Sequence, residues 1–392
     1  MTESNPYSSR SLLSKGSGQL SLAVISGLTF ITYGALRMLP QLYLKELGSQ
    51  PIVISLSTSF IWLGLLFGSS LWGSLGDRFR RRRLLFMLLT GDAVVIGVFA
   101  LLLPVSVVLP AVLLQAFLVA GVSPIAMSVV SASSSPSSRG RDLSWLSSSR
   151  ALGLMTGVII AGLLLGSLGF KWSFITLLFI PVLGLLILLR VPDEEVRSKK
   201  VHESARSWLA TASLRRLYLG TVLRQMGNAG ALSLIFVYMA NLAIITQSMG
   251  AINALNHAVQ VIAMLLFGRL ADRVGRKAVF IAGFGLSCFV PVIFAFSRGG
   301  WGMAGGFFTL GIAFSSIYMG SIAHIGDLIP RERQGVMLGM YESSRGLGGF
   351  IGPIIAGSIV PILGFRGMFM AMAGIQVVGF LLVLSTGTAQ DH

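Results

Sequence analysis

Two arginines, Arg150 and Arg345, stand 195 residues apart inside otherwise apolar stretches. Arg150 lies nine residues past Arg141 and Arg345 ten past Gly335. At about 1.5 Å per helical residue both sit roughly 13–15 Å inside their segments. A guanidinium at that depth is costly unless something negative meets it. Two chemistries fit. The pair could clamp an anionic group from both sides, or carboxylates of the chain itself could neutralise it. Glu342 lies three residues before Arg345 on the same helical face, and Asp92, roughly 13 Å into its own segment, could serve Arg150. Arg224 with Gln225 and Asn228 makes a second polar patch, and His257 with Asn253 and Asn256 a third. The imidazole reads either as a satisfied core histidine or as a group that titrates. Arg37, just before Pro40, is expected to snorkel to a segment end. His324 and Asp327 are expected to cap a helix or contact a loop.

The elements that must position these residues are legible from composition. A mean hydropathy of +0.81, with 54% hydrophobic and 11% charged residues, is that of a polytopic membrane protein. About twelve apolar segments of membrane-spanning length begin near Leu20, Ile52, Leu84, Val107, Leu143, Trp172, Leu217, Gly250, Ala278, Trp301, Gly335 and Gly367. The 47 glycines suit closely packed membrane helices. The net charge of +16 raises a nucleic-acid partner, but its distribution argues against one. In this topology most of the 30 Lys and Arg fall on one side, in the N-terminal tail, Arg78 to Arg83, Arg139/Arg141, Arg190 to Arg216, Arg269 to Lys277, and Arg331/Arg333. Lys45, Lys171, Arg298 and Arg366 fall on the other. That is the positive-inside pattern, with both termini cytoplasmic and the protein in the cell membrane. The Arg78–Arg83 run then orients the chain and meets anionic lipid. The first 19 residues carry no cleavable signal pattern. Cys288, the single cysteine, precludes an internal disulfide and reads as a packing residue.

A basic loop occurs twice at the same offset of 195. The first copy carries Gly73, Leu75, Asp77, Arg78 and Arg80 to Arg82; the second carries Gly268, Leu270, Asp272, Arg273, Gly275, Arg276 and Lys277. Gly153, Gly157 and Gly348, Gly352 with Pro353 follow the same shift, as do Gly169 and Gly364. The chain is therefore two copies of one half. The polar stretch between them divides the segments six and six. The expected organisation is a cytoplasmic tail (1–17), a six-helix bundle (18–191), a linker (192–213), a second bundle (214–385) and a cytoplasmic tail (386–392).

Twelve helices in two parallel repeats, with a Gly-x-Leu-Ala-Asp-Arg-x-Gly-Arg-Lys loop from Gly268 to Lys277, resemble the major facilitator superfamily. The first copy departs from the motif at Gly76 and Arg80. The resemblance implies an all-α integral membrane fold of two pseudo-symmetric six-helix bundles. It further implies a monomeric secondary transporter that moves a small organic solute by rocking the bundles around a midplane site. It makes Gly73, Asp77, Arg78, Gly268, Asp272, Arg273, Gly275 and Arg276 a conformational latch, with Gly73 and Gly268 allowing close helix contact. Arg150, Arg345, Arg224, Gln225, Asn228, Asn253 and His257 become candidates for the substrate cavity, and Gly153, Gly157, Gly348, Gly352 and Pro353 for helix packing. Export resembles the drug-efflux branches; uptake or exchange of an organic anion by the buried arginines is the alternative, and a non-transporting sensor or scaffold a further one. If a proton or another ion is coupled, Glu342, Asp92 and His257 are the candidate proton carriers. The family's frequent fourth-segment Arg and first-segment acid are missing here. No Gly-x4-Gly-Lys-[Ser/Thr] loop, Gly-x-Ser-x-Gly elbow near a histidine or His-Glu-x-x-His motif occurs. An enzyme, a cofactor and a metal are therefore not expected, and lipid and solute are the expected partners.

Overall fold

In the computed structural model, residues 7–76, 78–134, 138–191, 212–328 and 334–385 are described; the side chains of 7–17, 132–133, 139–140, 212–213, 272, 322–328 and 334–338 are not. Asp77, the tail residues 1–6 and 386–392, and linker residues 192–211 thus lie outside the described residues, as do the side chains of Asp272, His324 and Asp327.

The helices in chain order are α1 (Tyr7–Ala35), α2 (Leu39–Glu46), α3 (Pro51–Gly76), α4 (Arg81–Ala100), α5 (Val105–Ser133) and α6 (Arg139–Leu188). There follow α7 (Ala212–Ser233), α8 (Ile235–Asn241), α9 (Thr246–Val274), α10 (Arg276–Phe296), α11 (Gly300–Leu328) and α12 (Gln334–Leu384). Among the described residues nine helical stretches are long and apolar enough to cross a membrane. Two of them, Arg141–Leu188 and Gly339–Leu384, have twice the needed length. Each folds back on itself at a glycine, Gly169 (φ 74°, ψ 177°) or Gly364 (φ 65°, ψ −178°). That region of backbone space is open essentially only to glycine. Counting both arms of α6 and α12, and adding α7 with α8, gives twelve crossings. The seventh, with Arg215, Arg216 and Arg224 within it, is more polar than the rest.

The repeat is written into the backbone. α1 breaks from α2 at 36–38, and α7 breaks from α8 at Leu234, one half later. Gly48 (φ 70°) and Ala243 (φ 55°) then make the same left-handed turn. Where the halves differ, one residue marks the place. Gly275, at φ 97°, lets α10 start directly after α9. Its mate is Arg80, at φ −59°. An L side chain disfavours Gly275's conformation; α9 is helical through Val274, whereas Arg78 and Phe79, the mates of Arg273 and Val274, form a turn and a bend before α4.

Within each half the first helix packs on the first arm of the long helix through matched glycines. A Cβ at Gly153 would meet Gly27 O, and at Gly157 Ile31 O, both on α1. At Gly348 it would meet Val222 O, and at Gly352 Met226 O, both on α7. Pro353 follows within α12. Such backbone-to-backbone seams have no flexible atom to yield. Gly352→Ala is therefore expected to lower the detergent melting temperature, by an overpacking cost of about 1–3 kcal/mol. Gly97→Ala, where nothing lies within 4 Å of the new Cβ, should leave it unchanged or slightly raised.

Candidate functional site

The halves meet along two seams. α3 lies on α12 through Ile52 and Ser55 at Gly357, Trp62 at Gly349 and Leu66 at Gly346. There Ser59 Oγ also donates to Phe350 O at 2.8 Å. α6 lies on α9 through Val158, Ile159 and Gly162 at Gly250, and Gly166 at Gln247. Lys45 Nζ donates to Asn241 Oδ1 at 2.9 Å and Gln41 Nε2 to Leu232 O at 3.4 Å, joining α2 to α7 and α8. Among the described residues, all these glycine and hydrogen-bond contacts sit away from the basic loops, no nearer to them than Leu66 and Gly346. Exposure changes at the same depth. Along α9, Ala254, Asn256 and His257 are buried, whereas Ile262, Leu265 and Leu266 toward the loop are 60–70% exposed. α3 changes likewise from buried Ile54 and Ile61 to exposed Phe67 and Leu71. A cleft therefore separates the halves and opens on the face that carries the basic loops.

Arg150 and Arg345 stand at the closed end of that cleft. Arg345 Nη1 contacts both carboxylate oxygens of Glu342, at 2.8 and 2.9 Å, and its guanidinium lies 5.8 Å from the Phe314 ring. Its side chain is 16% exposed and that of Glu342 58%, so the carboxylate faces the opening. Arg150 has a different neighbourhood. Its guanidinium lies 4.7 Å over the Phe30 ring, and its Nε has no hydrogen-bond partner among the described residues. Tyr33 on α1, together with Tyr318 and Glu342 from the other half, shapes its electrostatic surroundings. Glu342 is thus bonded to Arg345 and lies within electrostatic reach of Arg150.

Asp92 does not serve Arg150. It is 1% exposed, enclosed by α1, α4 and α5. Thr32 Oγ1 lies 3.0 Å from Oδ2, and Gln115 Nε2 donates to Oδ1 at 3.1 Å. Thr32 Oγ1 also lies 2.8 Å from Thr29 O. The amide of Gln115, alone in the apolar run of α5, was the available signal for this cluster.

Arg224 is 3% exposed and Gln225 2%. Nη1 reaches only Gln225 Oε1, at 3.4 Å, while Nε and Nη2 have no partner among the described residues. Its electrostatic neighbours are Tyr341, Arg345 and Cys288, so it lies within the second half, behind Arg345, not on the open cleft. Asn228 N lies beside the Gln376 amide. His257 is 7% exposed, its Nε2 without a hydrogen-bond partner among the described residues, and Asn253 is half-buried one turn earlier on α9. Arg37 is half-buried beside the chain break at 36–38, within electrostatic reach of Tyr33 and of His257 across the seam.

The loop glycines also depart from expectation. A Cβ at Gly73 would meet nothing within 4 Å, and one at Gly268 only Met319 Cε at 3.4 Å. Both lie where the halves are apart, so neither is in close helix contact. Arg78, Arg273 and Arg276 are exposed at the same face. The aromatic residues around the arginines, Phe30, Tyr33, Phe314, Tyr318 and Tyr341, carried no signal in an apolar sequence.

The Major Facilitator Superfamily family model matches residues 22–242 and 217–390. The multidrug resistance protein MdtG of Dickeya zeae (strain Ech586) is 24% identical over 358 residues, 86% of each chain. MdtG of Enterobacter lignolyticus (strain SCF1) is 24% identical over 353 residues, 85% of this chain and 83% of that one. Among solved structures, the nucleoside transporter NupG superposes with a TM-score of 0.78 at 15% identity, covering 94% of this chain and 98% of that one. A bacterial homologue of the human lysosomal transporter Spinster does so with a TM-score of 0.74 at 13% identity, covering 95% and 98%. Twelve crossings in two repeats, parted by a cleft with polar groups at its closed end, agree with these matches: the chain is a multi-pass membrane transporter and belongs to the Major Facilitator Superfamily.

Proposed function

We propose that the chain exports a small organic solute by alternating access, and that the state described is open to the cytoplasm. The observation that carries this is the one-sided contact between halves, closed at Lys45–Asn241 and parted at the basic loops. The charge asymmetry makes the loop face cytoplasmic. Export follows the multidrug resistance proteins that the chain resembles at 24% identity. In this reading residues 18–191 and 214–385 rock as bodies joined by 192–213. Asp77 and Asp272, with Arg78, Arg273 and Arg276, latch the cytoplasmic face when it closes and bring Gly73 and Gly268 into contact. The test is flux of a solute panel into proteoliposomes, with and without imposed proton and sodium gradients. Distances are measured alongside by spectroscopy, between labels at Ser70 and Ser343 on the open side and at Glu46 and Leu242 on the closed side. Substrate is expected to shorten the first distance and lengthen the second; two distances that stay fixed while flux proceeds would sink the mechanism.

A second reading, uptake or exchange of an organic anion, is favoured by one observation. Arg150 and Arg224 have no carboxylate bonded to them among the described residues. A membrane-embedded cation without a counterion is costly, and a bound anion would offset that cost at Arg150.

A further inference from the structure

Outside the bundle, at the basic-loop end of α4, a crevice of about 440 Å³ is lined by Arg82, Arg83, Phe86, Met87, Leu185 and Leu188–Leu189. It lies between α4 and the second arm of α6. Arg82 Nη2 donates to Leu189 O at 3.3 Å, which holds one guanidinium over the crevice mouth. Arg83 is exposed beside it. Phe86 and Met87, one helical turn deeper, are 53% and 57% exposed, and Leu189 65%. Charge at the mouth and apolar surface below it, on the outward side of a membrane protein, match the order of groups in a phospholipid.

In the other half the backbone repeats but the side chains at the matching positions differ. Under the shift of 195, Arg83 becomes Ala278, Phe86 becomes Ile281, Met87 becomes Ala282 and Leu185 becomes Phe380. The Phe380 ring packs on Gly285 of α10, 3.3 Å from where a Cβ would stand, and joins the cluster of Phe280, Phe284 and Val383. One cation is lost and the space is filled. The N-terminal crevice is therefore set by side chains, not by the fold.

We propose that this crevice binds one anionic phospholipid, with the phosphodiester held by Arg82 and Arg83 and an acyl chain lying along Phe86, Met87 and Leu185. The full chain, extracted from bilayers of phosphatidylcholine with phosphatidylglycerol, is expected to retain one phosphatidylglycerol in native mass spectrometry. An Arg82→Ala/Arg83→Ala protein should retain it about 30-fold less, the loss of two interfacial cations. Leu185→Phe, which leaves every charge in place, should expel it by filling the crevice and keeps the test open if the arginine variant fails to fold. Lys277→Ala, in the filled half, should change nothing. The combined Ala278→Arg/Phe380→Leu variant should gain a second lipid. Soluble glycerol phosphate should not displace the lipid. Equal retention by the parent, the double arginine variant and Leu185→Phe would overturn the proposal, as would displacement by glycerol phosphate, which would make this a free-phosphate site.

Discussion

Arg150→Gln is expected to cut transport of an anionic solute by about 10- to 100-fold while leaving neutral solutes largely unaffected. A hydrogen bond to a charged group is worth about 1.5–3 kcal/mol, and each 1.36 kcal/mol is a factor of ten. The substitution removes one side of the clamp without breaking an ion pair among the described residues, where the guanidinium of Arg150 lies 4.7 Å over the Phe30 ring. The fold should therefore survive. Arg345→Gln is the less clean partner experiment. It frees Glu342, whose two short contacts are both to Arg345, and puts an unpaired carboxylate where the anion would bind. It should lower anion transport further than Arg150→Gln does. Proteoliposome uptake of matched anionic and neutral solutes separates the cases. Full anion transport in both variants would remove the anion reading and leave export of uncharged or cationic compounds.

Asp92→Asn should leave the melting temperature nearly unchanged and abolish the response of transport to an imposed pH gradient. The expectation comes from hydrogen inventory. Thr32 has one hydroxyl hydrogen and two acceptors within reach, Thr29 O at 2.8 Å and Asp92 Oδ2 at 3.0 Å. A neutral Asp92 resolves this: its own O–H donates to Thr32 Oγ1, Thr32 donates to Thr29 O, and Gln115 donates to Oδ1. Ionised, the carboxylate would be buried with two neutral donors and no cation bonded to it among the described residues, an arrangement that costs several kcal/mol. Asparagine copies the neutral acid, one acceptor and one donor in the same places, but carries no exchangeable acidic proton. If the native group were the anion, the same substitution would lose charge-assisted bonds of about 1.5–3 kcal/mol each and the melting temperature would fall. Retained gradient-driven flux in Asp92→Asn would shift the coupling role to Glu342 or His257.

The particular residues show what could be read early and what could not. The offset of 195 holds from the loop motif to the kink glycines, because duplication preserves spacing and the conformation at Gly169 and Gly364 is open essentially only to glycine. The departure from the motif at Arg80 was legible too, though not its accompaniment, a turn at Arg78 and Phe79 where the other half is helical. Glu342 and Arg345 were legible as a pair because three residues on one helix fix their neighbourhood. Asp92 and Arg150 were not: they lie on different helices, and depth along a helix says nothing about the direction a side chain takes around it.

Sequence alone, then, determined the membrane class, the twelve crossings, the internal repeat and the loop motif. Each depends on composition or spacing along the chain, and those survive without coordinates. Tertiary structure decided which buried charges have partners, which face of the cleft is open, and that Leu185 lines a crevice in one half whereas its mate Phe380 packs into a cluster in the other. Those outcomes depend on rotation about helix axes and on contacts between helices far apart in the chain, where an apolar sequence offers the same letters on every side.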